Sequence, residues 1–185
     1  WGAPPHASDA GRREAAGGVA GWIAAGRTPL APETPAIPDP SSHPSVPADW
    51  LHAGPTAPTV VVYAHYDVRP VDPLEEWVRP PFEPRYEADI VYARGSGDDK
   101  GQVFMHLKAA EAWLRGVGSL PVNLRFFFEG DEEHEAEPSE TLVKTHPELL
   151  AGGVCIGSDS GMQAAGRAPA VPNGPRGVAY GDRRV

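Results

Sequence analysis

The sequence contains a single cysteine, and it has neither a long apolar run nor an excess of positive charge. One cysteine excludes an internal disulfide framework and is typical of a reducing compartment. No apolar run approaches the ~20 residues that a helix needs to span a bilayer. The formal net charge of −9 argues against the basic surface that binds nucleic acid phosphates. We therefore expect a cytoplasmic protein that binds neither nucleic acid nor a membrane.

Proline and glycine are abundant, with 22 and 21 residues, but the prolines are unevenly distributed. Nine of them lie between Pro29 and Pro58, where apolar residues show almost no periodicity. Because proline lacks an N–H donor and fixes its own φ, this stretch predicts little regular structure. Before it, residues 12–25 could form a short helix, which three glycines would weaken.

Four later segments have the composition of short strands. Val60 to Ala64 form an uninterrupted apolar run, which is typical of a strand buried on both faces. The other segments are "DIVYARG" (89–95), "PVNLRFFFEG" (121–130) and "GVCIGSD" (153–159). In the last of these, which predicts a third buried strand, Cys155 is expected to be a small core residue.

Residues 101–118 have the strongest helical pattern in the chain. Their apolar side chains recur on one face: Val103, Leu107, Ala110 and Leu114. Gly116 occupies the position of a C-cap glycine. Two shorter helical pieces are expected on either side of Pro147. The alternation of strands and helices predicts an α/β fold, with a largely parallel sheet flanked by helices.

Each strand-like segment is followed by side chains that can bind a metal ion. They are His65 and Asp67, Asp98 and Asp99, Glu132 and Glu133, and Asp159. In an open α/β sheet, functional groups gather beyond the carboxyl ends of the strands. We therefore expect these side chains to meet at one edge of the sheet.

These residues also have plain structural interpretations. His65 could be hydrogen-bonded to a nearby carboxylate for structure alone, and Asp98 or Asp99 could cap the following helix. The acidic run after the phenylalanines could be a solvated loop. A phosphate-binding loop is excluded at "GSGDDKG", because the Gly-Lys-Ser/Thr ending is absent and two aspartates would repel a phosphate.

The acidic run follows a strand that is too apolar for the surface. Adjacent Glu132 and Glu133 would repel each other unless a cation or a proton is shared between them. One glutamate could bind a metal ion while its neighbour acts as a base. Together with His65, Asp98 and Asp159, the ligating glutamate gives three carboxylates and one imidazole. Such a set suits a pair of divalent ions such as zinc, manganese or cobalt better than calcium.

Four stretches resemble, in order and spacing, the dinuclear-zinc metallopeptidases. That family includes carnosine-type dipeptidases, carboxypeptidase G-type enzymes, aminoacylases and acyl-diamino-acid deacylases. The stretches are "VVVYAHYDVRPVDPLEEWVRPPFEP", "YARGSGDDKGQVFMHLKAAEAWL", "LPVNLRFFFEGDEE" and "CIGSDSGM". The loop after "HYDV", with Trp77 and "PPFEP", is most similar to the dipeptidase branch. The resemblance runs from about Pro58 to Tyr180.

The resemblance implies two divalent metal ions, zinc first and manganese or cobalt as alternatives. His65 and Asp159 would bind one ion, Asp98 would bridge both, and Glu133 would bind the other.

Two catalytic residues are implied as well. Asp67 would orient the metal-binding histidine, and Glu132 would be the base that activates a water. The peptide bond between Asp98 and Asp99 would be cis.

The resemblance also divides the chain. Residues 58–185 would form the N-terminal portion of the catalytic domain, without its dimerisation domain and C-terminal part. Residues 1–57 match poorly, and the helix and strand expected there are hard to find, so the sheet is expected to lack an edge. The chain would have little activity alone, and the complete protein would be a homodimer.

The implied function is metal-dependent hydrolysis of the peptide bond of dipeptides or small peptides. An N-acyl-amino-acid deacylase using the same ions is the nearest alternative, since specificity would depend mainly on the missing domain. A non-catalytic truncated homologue is the alternative from another class. A nucleotide-binding α/β protein is disfavoured by the acidic loops.

Overall fold

The computed structural model describes residues 43–133 and 137–161. Six strands lie in this part of the chain: β1 (Val46–Trp50), β2 (Thr59–His65), β3 (Arg85–Glu87), β4 (Ile90–Tyr92), β5 (Asn123–Glu129) and β6 (Val154–Gly157). The helices are α1 (Lys100–Val117) and α2 (Glu137–Thr145), with 3-10 helices at Leu74–Glu76 and Pro147–Leu150. The helix expected at 12–25 lies outside the described residues. Among those described, no helix has the length and apolarity to cross a bilayer.

The central sheet has the strand order β1–β5–β2–β6. β2 runs parallel to both β5 and β6, whereas β1 is antiparallel to β5. The prediction of an α/β fold with a largely parallel sheet is therefore confirmed. The two helical pieces around Pro147 are also confirmed, since α2 ends at Thr145 and a 3-10 helix begins at Pro147.

One face of this sheet packs against α1. The sheet contributes alternate residues of its two central strands to the core: Val62, Ala64, Phe126 and Phe128. The helix contributes the four residues expected from its periodicity: Val103, Leu107, Ala110 and Leu114. Because side chains alternate along a strand, His65 at the end of β2 lies on the opposite face.

Strand β1 corrects the expectation that the proline-rich region leaves the sheet without an edge. Val46, Ala48 and Trp50 are buried, and the strand pairs with β5 in the register Val46 to Phe128. Pro47 is accommodated because β1 has a neighbour on one side only within the described sheet. Alternating apolar residues thus form a strand where the proline count predicted none.

The segment "DIVYARG" was wrongly predicted to be a strand of the central sheet. Its residues Ile90–Tyr92 form β4, which pairs only with β3 in a separate antiparallel hairpin within the described chain. The side chains of β4 are all exposed, so this strand makes no core contact that would stabilise it in the larger sheet. Asp98 therefore reaches the site from the loop before α1 and not from the end of a sheet strand.

Strand β6 is exposed along its whole length, and the expectation of a third buried strand is wrong for the described chain. In that part, β6 pairs with β2 on one side and has no strand on the other. Cys155, expected in the core, is exposed with the rest of this strand.

The end of α1 lies two residues later than expected. Gly116 is inside the helix, and Gly118 is the capping residue, with φ of 82° in the left-handed region. Its N–H donates to the carbonyl of Leu114 at 3.0 Å. Glycine adopts this conformation without the steric cost that a Cβ would bring.

Candidate metal centre

His65 ends β2 with a fully buried side chain. Its Nδ1 lies 3.1 Å from Oδ1 of Asp67, which is also fully buried. Its Nε2 lies 3.1 Å from Oδ1 of Asp98, whose side chain is about half exposed. One ring nitrogen is thus occupied by a buried carboxylate, and the other faces the open side of the site.

The pairing of β2 with β5 brings two loops to the same place. The register places His65 beside Glu129, so both strands end at one level. The N–H of Tyr66 donates to the carbonyl of Glu129 at 2.9 Å, which continues the pairing one residue further. Parallel strands that end together deliver their following loops to one edge. The loop after β5 carries Glu132 and Glu133 to that edge.

Further carboxylates approach the same ring nitrogen. Oε2 of Glu132 lies 3.9 Å from Nε2 of His65, and Oδ2 of Asp159 lies 3.8 Å from it. Two sets of potential ligand atoms form as a result, each with its members within 4.8 Å of one another. One set is His65, Glu132 and Asp159, and the other is His65, Asp98 and Glu133.

Asp67 connects the strand end to the acidic loop. Its Oδ1 contacts the His65 ring, while its Oδ2 accepts the backbone N–H of Glu133 at 2.9 Å. Glu133 is also held by Arg69, whose Nε lies 3.0 Å from its Oε2. The Glu133 side chain is 9% exposed, compared with 38% for Glu132. The two adjacent glutamates therefore differ in both burial and pairing.

The loop before α1 is anchored by Asp99. This residue is the N-cap of α1, but its side chain makes no capping hydrogen bond. Its buried carboxylate instead accepts the backbone N–H of His65 at 3.2 Å. Burial raises the pKa of Asp99 to about 6. The Asp98–Asp99 peptide is cis, as the resemblance implied.

The local charges favour a bound cation. Burial by itself would lower the pKa of His65, but the hydrogen bond and charge of Asp67, with the charges of Asp99 and Glu132, raise it to about 9. Burial also raises the pKa of Glu132 and of Glu133, and neighbouring carboxylates add to both shifts. A divalent cation would relieve the repulsion between these carboxylates and displace the proton from the imidazole.

The structure brings together all six residues singled out as ligands or catalytic groups: His65, Asp67, Asp98, Glu132, Glu133 and Asp159. Sequence analysis missed the contributions of Asp99 and Arg69. Asp99 was considered as a metal-capable side chain and as a helix cap, but not as the residue that binds the backbone N–H of His65, although an aspartate beside a candidate ligand is a signal for a supporting role. For Arg69 the sequence offers no signal, because its partner lies 64 residues later in the chain.

The sequence is similar to a known protein family and to several of its characterised members. A profile of peptidase family M20/M25/M40 matches residues 61–171. Human Beta-Ala-His dipeptidase is 34% identical over 148 residues, which cover 78% of this chain and 29% of that protein. Succinyl-diaminopimelate desuccinylase of Dechloromonas aromatica is 34% identical over 136 residues, which cover 71% of this chain and 35% of that protein.

A solved structure also resembles this chain. The crystal structure of an M20 family metallo-carboxypeptidase from Sulfolobus solfataricus matches with a TM-score of 0.71 and 30% sequence identity. The match covers 82% of this chain and 33% of that one. The chain therefore spans about a third of the length of the relatives that it matches.

Proposed function

This chain belongs to peptidase family M20/M25/M40, and we propose that the complete protein is a metal-dependent dipeptidase. It would hydrolyse the peptide bond of dipeptides or other small peptides. The similarity to a Beta-Ala-His dipeptidase over 78% of the chain supports this substrate class. Because the chain spans about a third of that relative, the activity is proposed for the complete protein.

Two divalent ions would be held by His65, Asp98, Glu133 and Asp159, with zinc as the first candidate and manganese or cobalt as alternatives. The donor chemistry fits, because one imidazole and several carboxylates meet within a few ångströms and the carboxylates repel one another without a cation. When bound, such ions would lower the pKa of a water and stabilise negative charge on the substrate carbonyl oxygen.

Glu132 is proposed as the general base. It is the more exposed of the two adjacent glutamates, so its carboxylate has room to meet a substrate. It would accept a proton from the attacking water and donate it to the leaving amine. Asp67 would keep Nδ1 of His65 protonated, so that the lone pair of Nε2 faces the ligand side of the site.

The observation that carries this proposal is the convergence on Nε2 of His65. Carboxylates from three separate loops, those of Asp98, Glu132 and Asp159, lie 3.1–3.9 Å from this one buried atom. One imidazole surrounded by carboxylates is the donor set that divalent metal ions use in proteins, and this supports the proposal.

The test is an assay of the complete protein loaded with zinc, using a dipeptide and an N-acetyl amino acid in parallel. Turnover of the dipeptide should fall about 10²–10⁴-fold in Glu132→Gln while the metal content is retained. Glu76→Gln, in an exposed 3-10 helix, is the matched control and should keep full activity. Unaltered turnover in Glu132→Gln would refute the assignment of the base.

An N-acyl-amino-acid deacylase is the second candidate. The similarity to a succinyl-diaminopimelate desuccinylase, at 34% identity over 71% of the chain, supports it. The same ions and base would serve, because both reactions add water to an amide carbonyl. Faster turnover of the N-acetyl amino acid than of the dipeptide would favour this alternative.

The remaining proposals concern the chain and its setting. We expect the isolated 185-residue chain to bind metal with little turnover, since it spans only about a third of the length of its relatives. Dipeptide turnover by this chain, abolished in Glu132→Gln, would contradict that expectation. A cytoplasmic location and a homodimeric complete protein are proposed from the single cysteine and the family resemblance respectively.

A further inference from the structure

The acidic loop that carries Glu132 and Glu133 is hydrogen-bonded to the segment preceding β1. Asp131, directly before Glu132, is 6% exposed, and His43 is 4% exposed. The backbone N–H of His43 donates to Oδ2 of Asp131 at 2.9 Å, and Nδ1 of its ring contacts Oδ1 of the same carboxylate. Eighty-eight residues separate these partners in the chain.

The surrounding packing leaves the loop little freedom. A Cβ at Gly130 would collide with the Tyr66 hydroxyl and with Cβ of His43. The Tyr66 hydroxyl donates to the carbonyl of Pro44 at 2.6 Å. Residues 43–44 are therefore fixed between the end of β2 and the start of the acidic loop, at a point where only glycine fits.

The acidic loop is thus held at both ends. Asp131 is bound by His43, and the backbone N–H of Glu133 is bound by Oδ2 of Asp67. Glu132 lies between these two anchors. If either anchor were released, the peptide units on both sides of Glu132 could rotate, and both glutamate carboxylates would move relative to His65.

We propose that His43 and Asp131 are positioning residues that fix the backbone through which Glu132 and Glu133 reach the metal centre. We call this pair the His43–Asp131 clamp. The inference rests on the proposed metal site, and it assigns a role to a segment that the sequence analysis set apart as poorly matched.

Stability alone is a weak explanation for the clamp. A buried charged or strongly polar pair pays a desolvation cost that offsets most of its attraction, so an apolar pair of similar volume is often as stable. Fixed orientation is what such a pair provides and an apolar pair does not. Outer groups that orient metal ligands typically change metal affinity 10–100-fold when they are removed.

The first test measures the backbone without metal. In the metal-free 185-residue chain, His43→Leu should accelerate amide hydrogen exchange at residues 131–133 at least tenfold. His43→Asn should restore slow exchange, because the asparagine amide nitrogen can occupy the place of Nδ1. His146→Leu is the matched control, since His146 makes the same kind of contact with Glu148 in an exposed loop. It should leave exchange at residues 131–133 unchanged.

The second test measures Co²⁺ binding by titration of the visible absorption spectrum. His43→Leu should raise the Kd about tenfold, and His43→Asn should return it towards the wild-type value. In a Glu133→Ala background, His43→Leu should have no further effect, because the ligand that the clamp positions is already gone. A purely structural role would weaken binding equally in both backgrounds.

Unaltered exchange at residues 131–133, or an undiminished effect in the Glu133→Ala background, would overturn the clamp. If His43→Leu loses its far-UV circular dichroism, Asp131→Asn takes its place, since it keeps an oxygen for the His43 N–H and alters only the ring contact. A wild-type chain that binds no Co²⁺ would instead count against the proposed metal site. The exchange result does not depend on metal and separates the two failures.

Discussion

Asp67 and His65 lie two residues apart at the end of β2, with Oδ1 of one 3.1 Å from Nδ1 of the other and both side chains without solvent exposure. The second oxygen of Asp67 accepts the N–H of Glu133. One buried carboxylate therefore orients the imidazole and fixes the loop that carries two further site residues.

The first prediction concerns Asp67. Asp67→Asn should weaken Zn²⁺ binding about 10–100-fold, because asparagine has one acceptor oxygen for two donors, His65 Nδ1–H and the Glu133 N–H, and no charge to attract the cation. Isothermal titration calorimetry of the 185-residue chain measures the change. Asp89→Asn, in the exposed turn of the β3–β4 hairpin, is the control and should bind as the wild type does. Equal affinities for Asp67→Asn and wild type would contradict a supporting role for Asp67.

The second prediction concerns pH. His65 in the metal-free chain has a pKa of about 9, so it carries a proton at pH 7.5 that metal binding must release. Metal affinity should rise as the pH is raised from 6 to 9. Calorimetry in two buffers of different ionisation enthalpy should detect about one released proton at pH 7.5. Affinity that is independent of pH over this range would exclude a protonated His65.

The raised pKa of His65 also determines how this residue affects stability at different pH values. Its pKa is about 9 in the folded chain and 6.5 when unperturbed, so protonated His65 favours the folded state. This contribution is complete below about pH 6.5 and is lost as the pH rises through 9. The unfolding temperatures of metal-free wild type and His65→Gln should therefore lie closer together at pH 9.5 than at pH 6.

The third prediction concerns the core beneath the site. Phe128 has no solvent exposure, and Phe128→Ala should reduce the free energy of unfolding by about 3–5 kcal/mol through lost burial and the cavity that remains. Phe104→Ala is the matched control, because that ring is 48% exposed on α1. Phe104→Ala should reduce the free energy of unfolding by much less than Phe128→Ala does. Urea unfolding followed by circular dichroism provides both values, and equal losses would refute the assigned core.

The fourth prediction distinguishes the two glycines at the end of α1. Gly118→Ala should destabilise the chain by about 1 kcal/mol, because alanine is strained at φ of 82°. Gly116→Ala should stabilise it by up to about 1 kcal/mol, because the position is helical and no atom lies within 4 Å of the added Cβ. The unfolding temperatures of the two variants should shift in opposite directions from that of the wild type. Destabilisation by Gly116→Ala would show that the helix ends earlier.

The local sequence pattern was sufficient to predict the elements whose apolar residues lie close together in the chain. The buried face of α1 was predicted from the spacing of its apolar residues, because burial on one side of a helix requires that spacing. Strands β2 and β5 were predicted from short uninterrupted apolar runs. The failures occurred where a neighbour decides the outcome. β4 lacks a partner in the central sheet, and the side chains of β6, at an edge of that sheet within the described chain, are exposed.

Local features of the sequence were enough to predict the α/β class and the residue types of the candidate site, since strand ends and metal-capable side chains can both be recognised locally. Which atoms meet depends on tertiary contacts. The 3.1 Å contact of His65 with Asp98, the anchoring of Glu133 by Asp67 and the His43–Asp131 clamp each join residues from different elements. The pairing of β2 with β5 brings these segments together, and no spacing along the chain encodes the resulting distances.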